Sequence, residues 1–305
     1  MRDLIWILVV AGIFSCRSRE ISLYIPFEEE RLVIWGKLEA GKPVTVRLTK
    51  TFPPKGDLPE KLSVNNATVV LFRNGDRYAA LNQSSDEGVY ACDSIILPGQ
   101  SYVLKVEAEG FPVAESQNVI VPASPPEVSY LRKTDVERLP RYPYRQDLIS
   151  LFIHGNSLEA DCYLMVGFLA HFESNKIPTI WPAPDNILES DDGCHAWTRD
   201  YNGLFGNLFL MARPCLPGNN DAINFLTATA DISRGPDING QFGVAKKLEM
   251  RVGTVTKEWF EYNRTEGRQP EGLDHLVLPP QMAYTNIKNG YGMLYATNER
   301  TIELE

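Results

Sequence analysis

A short acidic stretch contains the side chains best suited to chemistry, because Asp191, Asp192, Cys194 and His195 lie within five residues. Two carboxylates and an imidazole could bind a divalent cation or transfer protons. Neighbouring residues of a strand point to opposite faces, so these side chains could converge only in a loop. A polar turn that carries a disulfide explains the same residues without catalysis, and we favour it. Metal binding by Asp191, Asp192 and His195 is the weaker hypothesis.

Common catalytic motifs are missing from the sequence. None of the four histidines has H-E-x-x-H spacing, and neither G-x-S-x-G nor a glycine-rich phosphate loop is present. We expect His154 and His171 at strand edges or hydrogen-bonded in a core. Trp259 could stack on a sugar, but a core or rim position explains it more simply. The net charge of −9 argues against a nucleic acid partner, which requires a basic face. The sequence predicts no catalytic residue and no cofactor.

The first sixteen residues are typical of an exported bacterial lipoprotein. Residues 4–14 are eleven apolar or small residues, too few to span a bilayer, which takes about 20. They follow Arg2 and read as a signal peptide of residues 1–15. Ile13-Phe14-Ser15-Cys16 resembles a lipobox, which predicts cleavage between Ser15 and Cys16 and acylation of the Cys16 thiol. Residues 16–20 would then form a lipidated tether.

The cysteine count agrees with this interpretation. The chain has five cysteines, and assigning Cys16 to lipid leaves Cys92, Cys162, Cys194 and Cys215. Four thiols in an oxidising compartment allow three pairings. We favour a Cys194–Cys215 disulfide because these two lie close in sequence in the second half. Buried thiols are the alternative, and no C-x-x-C spacing indicates zinc.

The elements that would position these residues are mainly strands. Residues 44–49 and 102–109 alternate between apolar and polar, as strands with one buried face do. Asn74-Gly75 predicts a tight hairpin turn. Residues 21–122 therefore predict an immunoglobulin-like β-sandwich. Three prolines in residues 122–126 mark a boundary, and residues 123–305 predict a larger, sandwich-like β-rich domain. Val255, Trp259 and Tyr262 recur at helical spacing and predict one short helix.

Several segments in a fixed order carry a resemblance to a known family. They are LVIWG at 32–36, GKPVTVRLTK at 41–50, NATVVLF at 66–72, PGQSYVLKVE at 98–107 and YTNIKNGYGM at 284–293. The chain resembles the domain of unknown function (DUF) family 4249, cell-envelope lipoproteins of Bacteroidota. The first domain is also similar to carboxypeptidase-regulatory-like sandwiches.

The resemblance implies a location and a class of partner. It implies an outer-membrane lipoprotein, with an accessory role to a TonB-dependent receptor. It carries over no catalytic residue and no ligand. Residues 17–19 are Arg-Ser-Arg rather than acidic, so the periplasmic and the surface face both remain open.

Two functions from different classes follow. The leading one is a non-enzymatic envelope protein, held to the membrane through Cys16, that binds a partner such as a TonB-dependent receptor. The alternative is a metal- or carboxylate-dependent hydrolase of glycans or peptides, which would require Asp191, Asp192 or His195 to converge with another acidic group.

Overall fold

The computed structural model describes residues 29–53, 57, 59–136, 144–154, 162–172, 176–178, 181–182, 194–199, 207–217, 221–231, 243–266 and 283–305. Strands predominate, and one α-helix lies in the second half. The predicted all-β class is therefore confirmed. Among the described residues, no helix has the length and apolar character needed to cross a bilayer.

The first half folds as two packed layers of antiparallel strands. The strands are β1 (Leu32–Glu39), β2 (Pro43–Lys50), β3 (Thr68–Arg73), β4 (Asp76–Gln83), β5 (Val89–Ile95), β6 (Ser101–Glu107), β7 (Ala114–Ser116) and β8 (Val119–Ile120). β2 and β6 alternate between buried and exposed positions, as their sequence predicts. Asn74 and Gly75 both have positive φ, 53° and 90°, in the turn that joins β3 to β4.

The first core lies between these two layers. One layer contains β1, β2 and β5, and the other contains β3, β4, β6 and β7. β4 joins them, because it pairs with β3 and, through Asn82 and Gln83, with β5. Apolar residues at alternate positions fill the space, among them Ile34, Val46, Leu71, Leu104 and Tyr102. This arrangement gives each strand one buried and one outward face.

The second half extends the layer that contains β1, and it adds one separate, smaller sheet and the helix. Its strands are β9 (Val128–Val136), β10 (Tyr144–Ile153), β11 (Cys162–His171), β12 (Lys176–Pro178), β13 (Trp181–Pro182), β14 (His195–Arg199), β15 (Asn207–Ala212), β16 (Ile223–Asp231), β17 (Gly243–Val244), β18 (Lys247–Thr256), β19 (Ile287–Lys288) and β20 (Gly290–Leu304), and the helix is α1 (Lys257–Glu266). β14, β15, β11, β18 and β20 form a sheet in that order, and β13, β16, β10 and β9 form a smaller one.

The central strands of the larger sheet are covered on both faces. Leu164, Val166 and Phe168 of β11 pack towards the smaller sheet. Met165 and Leu169 point to the other face, where Phe260 of α1 covers them. Burial on both sides explains why residues 162–172 are almost wholly apolar rather than alternating.

The helix begins later than its sequence spacing indicates. Val255 belongs to β18, where it pairs with Thr297 and Tyr163, and α1 starts at Lys257. The ladder hydrogen bonds and complete burial of Val255 outweigh its helical spacing to Trp259.

β20 belongs to both halves of the molecule. Its residues Gly290–Thr297 pair in parallel with β1, and Thr297–Leu304 pair antiparallel with β18. Leu294 and Ala296 therefore pack in the first core, although they lie within residues 123–305, which the sequence predicts as the second domain. Both sandwiches thus share one continuous strand.

The proline-rich segment at 122–126 is fastened to this shared region. The Asn298 side chain donates to the Pro122 carbonyl at 2.9 Å, and the Thr254 hydroxyl donates to that of Ser124 at 3.2 Å. Arg300 donates to the Pro126 carbonyl at 3.2 Å. Side chains of β18 and β20 therefore hold the connection between the halves.

Candidate functional site

The residues that the sequence singled out for chemistry are only partly within the described structure. Ser15, Cys16, Asp191 and Asp192 lie outside the described residues. His195 is the first residue of β14, pairs with Met211, and stacks on the Phe209 ring with 5.8 Å between ring centroids. The described residues contain no group of three His, Cys, Asp or Glu side chains able to bind a metal ion. The convergence that the hydrolase hypothesis needs stays a prediction.

Cys194 and Cys215 form a disulfide, the pairing favoured from the sequence. Their Cα atoms are 5.7 Å apart, and 21 residues separate them along the chain. The bond joins the residue before β14 to a short 3-10 helix, Arg213–Cys215, that follows β15. The Ala212 N–H also donates to the Cys194 carbonyl at 2.8 Å. The disulfide therefore fixes the outer strand of the larger sheet.

Four charged side chains meet where β1, β18 and β20 come together. We call Lys37, Glu39, Arg251 and Glu299 the junction cluster. Lys37 Nζ lies 2.9 Å from a Glu39 oxygen and 2.8 Å from a Glu299 oxygen. Arg251 donates from Nε and Nη2 to the two oxygens of Glu299, each at 2.7 Å. The cluster joins one strand of the first half to two strands that extend into the second.

Strand register explains why these side chains meet. Lys37 and Glu39 are alternate residues of β1, and their partners in the parallel ladder are Tyr295 and Thr297. Glu299 follows Thr297 by two residues, so it lies on the same face of the sheet. Arg251 lies on the neighbouring β18, opposite Thr301. The register therefore brings together charged residues from the face of each strand that does not point into the first core.

The two carboxylates of the cluster have opposite pKa shifts. Burial raises the pKa of Glu299, which outweighs the favourable charge of Lys37. Burial also opposes ionisation of Glu39, but its contacts with Glu299, Lys37 and Lys42 prevail and lower its pKa to about 2. The pair therefore retains a proton on Glu299 more readily than on Glu39.

The cluster is better suited to holding strands together than to transferring protons. Carboxylates with divergent pKa values are typical of acid–base sites. Here, however, both oxygens of Glu299 already accept hydrogen bonds from Arg251, and its side chain is only 7% exposed. We interpret the cluster as an ionic tie between the two halves.

Aromatic side chains lie under helix α1, on the same face of the sheet as the junction cluster. The Trp259 ring lies 3.9 Å from that of Tyr295, and Tyr262 lies edge-on to Trp35 at 4.9 Å, both between centroids. Packing explains Trp259 here without a sugar. Its buried Nε1 and the buried Thr297 hydroxyl bond to no described residue. Ordered water is the usual partner of such groups.

A second ionic group involves the histidine of β11. His171 Nε2 lies 2.7 Å from a Glu249 oxygen, and Lys247 bridges Glu249 and Glu303 at 2.8 Å each. Burial opposes ionisation of Glu249, but Lys247 and His171 outweigh it and lower its pKa. His171 is therefore a paired residue, as expected from the sequence.

The sequence could not reveal the junction cluster. Its alternation places Lys37 and Glu39 on the second face of β1, but Glu299 is 262 residues from Lys37. A parallel pairing between strands at opposite ends of the chain has no local sequence signal.

A family model matches almost the whole chain. Residues 18–303 match the family model described as "Domain of unknown function (DUF4249)". The chain belongs to the DUF4249 family. The DUF4249 match begins two residues after Cys16 and includes both cores. None of the curated proteins matches the chain.

Two solved structures illustrate distant similarity to this DUF4249 chain. One is a mutant of Salmonella alpha-2-macroglobulin, 9% identical, covering 94% of this chain and 15% of that one, with a TM-score of 0.27. Another, from Corynebacterium diphtheriae and named as membrane anchored, is 12% identical and covers 75% of this chain and 55% of that one, with a TM-score of 0.21. Likenesses this distant carry no argument about fold or function.

Proposed function

We propose that this DUF4249 chain is a lipid-anchored protein of the Bacteroidota cell envelope that binds a partner and has no catalytic role. The observation that carries the proposal is the N-terminal sequence, in which a short apolar stretch ends at Ser15-Cys16. Two acyl chains on Cys16 would anchor the protein stably, because each buried CH₂ contributes about 0.8 kcal/mol.

The disulfide supports export from the cytosol. Disulfides persist mainly in oxidising compartments such as the periplasm and the cell surface. The Cys194–Cys215 bond agrees with such a location. The family match covers residues 18–303, so the proposed signal peptide of residues 1–15 lies outside the matched region.

We place the partner among TonB-dependent receptors of the outer membrane. The resemblance to envelope lipoproteins implies this class of partner and an accessory role in uptake. In the described chain, the partly buried charged residues of the junction cluster pair with one another, as structural ion pairs do. Binding by an outer surface therefore explains the molecule more simply than catalysis.

Cys16→Ala tests the anchor. The variant should leave the membrane fraction and lose its acyl groups by mass spectrometry, because the only thiol at the proposed cleavage site is removed. The matched control is Cys92→Ala, which changes a different thiol and should remain membrane-bound. Persistent membrane association of Cys16→Ala would refute the anchor.

Affinity purification from detergent-solubilised envelope tests the partner. Tagged wild-type protein should recover a large β-barrel receptor, identified by mass spectrometry. The Cys16→Ala protein, mislocalised away from that membrane, should recover much less of it. Repeated isolation of the wild-type protein alone would argue against the accessory role while leaving the anchor intact.

A further inference from the structure

Three exposed hydrophobic side chains lie at one end of the first sandwich. Phe52, Val113 and Tyr291 are 38%, 41% and 42% exposed. Large apolar side chains grouped on a surface often mark a contact with a protein or a membrane. We call these three residues the apolar end.

Backbone contacts bring the apolar end together around the start of β1. The Thr51 N–H donates to the Arg31 carbonyl at 2.9 Å, which places Phe52 beside the first described residues. Tyr291 pairs with Val33 in the parallel ladder. The Asn289 side chain, two residues before Tyr291, donates to the Val113 carbonyl at 3.0 Å.

The chain leads back to Cys16 from this same end. The described structure begins at Glu29, three residues before β1. Thirteen residue steps separate Glu29 from Cys16 and can span at most about 45 Å. With Cys16 acylated, Glu29 lies within about 45 Å of the bilayer surface, and this end of the sandwich is the one nearest the anchor along the chain.

Three basic side chains near the apolar end are ion-paired. Arg31 pairs with Glu29, Lys50 with Glu30 and Lys61 with Glu87. Each cation therefore has a carboxylate of the same protein beside it. These three cations therefore contribute little attraction to anionic headgroups, and we take burial of Phe52, Val113 and Tyr291 as the main source of binding.

We infer that the apolar end, Phe52, Val113 and Tyr291, rests on the lipid bilayer and orients the anchored protein. The inference depends on the proposed acylation of Cys16. Tyr suits this role, because its ring is apolar and its hydroxyl stays hydrated at the headgroup level. The opposite end of the sandwich would then point away from the membrane, about 26 Å further out, since β1 has eight residues.

Hydroxyl-radical footprinting on phosphatidylcholine vesicles tests the orientation. The acylated protein is compared with a chain of residues 17–305 mixed with the same vesicles. Oxidation of Phe52 and Tyr291 should fall several-fold in the acylated protein. Leu97 and Ile120 are the matched control, because they are 41% and 54% exposed and lie at the opposite end, where Ile96 bonds to Lys42. Their oxidation should not change.

The outcomes separate this inference from the proposed anchor. If mass spectrometry finds acyl groups on Cys16 and Phe52 and Tyr291 still react as in the 17–305 chain, the inference is wrong and the anchor stands. If Cys16 carries no acyl group, both fail. Protection of Leu97 and Ile120 instead, or protection that appears only with anionic lipid, would also overturn it.

A double substitution provides a second readout. On vesicles, amide exchange at Phe111, Val113 and Ala114 should slow in the acylated wild-type protein. Phe52→Glu with Tyr291→Glu should abolish this slowing, because carboxylates stay hydrated. Leu97→Glu with Ile120→Glu is the control and should preserve the slowing. Both pairs replace exposed side chains, so both variants should fold. Equal behaviour of the two variants would contradict the inference.

Discussion

At the scale of single residues, the segment 286–292 acts on the fold rather than on a ligand. The buried Asn286 amide donates to the Leu294 carbonyl at 2.7 Å and accepts from the Leu294 N–H at 3.0 Å. Gly292 has a φ of 92° and pairs with Ile34. A Cβ on Gly292 would lie 2.8 Å from the Ile34 nitrogen. These residues let β20 approach β1 closely.

Gly292→Ala should therefore destabilise the protein more than a glycine substitution in an open turn. Positive φ costs an alanine about 1–2 kcal/mol, and the clash with Ile34 should add about 1–3 kcal/mol. Gly41→Ala is the control, because its φ is 78° but its Cβ would meet nothing within 4 Å. Urea unfolding measures both. Equal losses would show that backbone approach is not the constraint.

The junction cluster predicts a specific acid dependence. The pKa of Glu39 is lowered from 4.5 to about 2, so its stabilisation is present above about pH 4.5 and is lost as the pH falls towards 2. That loss is at most about 3 kcal/mol. Glu39→Gln should flatten this part of the stability curve, measured by urea unfolding across the acid range.

Two other glutamates provide comparisons for the pH dependence of stability that we assign to Glu39. Glu87→Gln removes a carboxylate from an exposed pair with Lys61 and should leave the acid dependence nearly unchanged. Glu299 acts in the opposite direction, since its raised pKa makes its ionisation costly as the pH rises above 4.5. A Glu39→Gln curve parallel to the wild type would disprove the assignment.

At the scale of elements, β14 is held by its pairing with β15 and by the disulfide that precedes it. The register runs from His195 opposite Met211 to Arg199 opposite Asn207. Among the described strands, β14 is the outermost of its sheet and pairs with β15 alone. The Cys194–Cys215 bond links two residues that are 21 positions apart. It reduces the conformational freedom of this segment in the unfolded chain and so stabilises the folded edge.

Removing the disulfide should lower stability without disrupting the cores. Cys194→Ala with Cys215→Ala should reduce the free energy of unfolding by about 3 kcal/mol, as expected for a loop of this length. Reductant should produce the same loss in wild type, measured by denaturant midpoint. The double variant itself should show no further loss with reductant. Insensitivity of the wild type to reductant would count against the bond.

At the scale of the whole molecule, β20 makes the two halves interdependent. Leu294 is fully buried in the first core, and Leu304 is buried in the second. The connection at 122–126 is fastened to β18 and β20 by Thr254, Asn298 and Arg300. A perturbation in the last strand should therefore reach the first sandwich.

Leu294→Ala tests this interdependence. Loss of a buried leucine typically costs about 2–5 kcal/mol. Amide exchange should accelerate in β1, β2 and β5, although the substitution lies far from them in sequence. The control, Leu151→Ala, removes an equally buried residue of the second core and should accelerate exchange mainly in β9, β10 and β16. Unchanged exchange in β1 after Leu294→Ala would show that the halves are independent.

Local patterns in the amino-acid sequence were enough to predict the all-β class and many of the strands. Alternation in residues 44–49 and 102–109 defined β2 and β6, because a half-buried strand must alternate. The positive φ values of Asn74 and Gly75 follow from their residue types. The length of the apolar stretch at residues 4–14 is likewise informative, because eleven residues are too few to span a bilayer.

The pairing of strands that are distant in sequence became known from the fold. Alternation shows which face of a strand is buried, but it does not show which distant strand pairs with it. The parallel pairing of β1 with β20 therefore appears only in the fold, and with it the contact between Lys37 and Glu299. The same pairing places Tyr291 beside the start of the described chain, near Phe52 and Val113. Contacts between residues remote in sequence are selected by packing of the whole core, for which no local pattern exists.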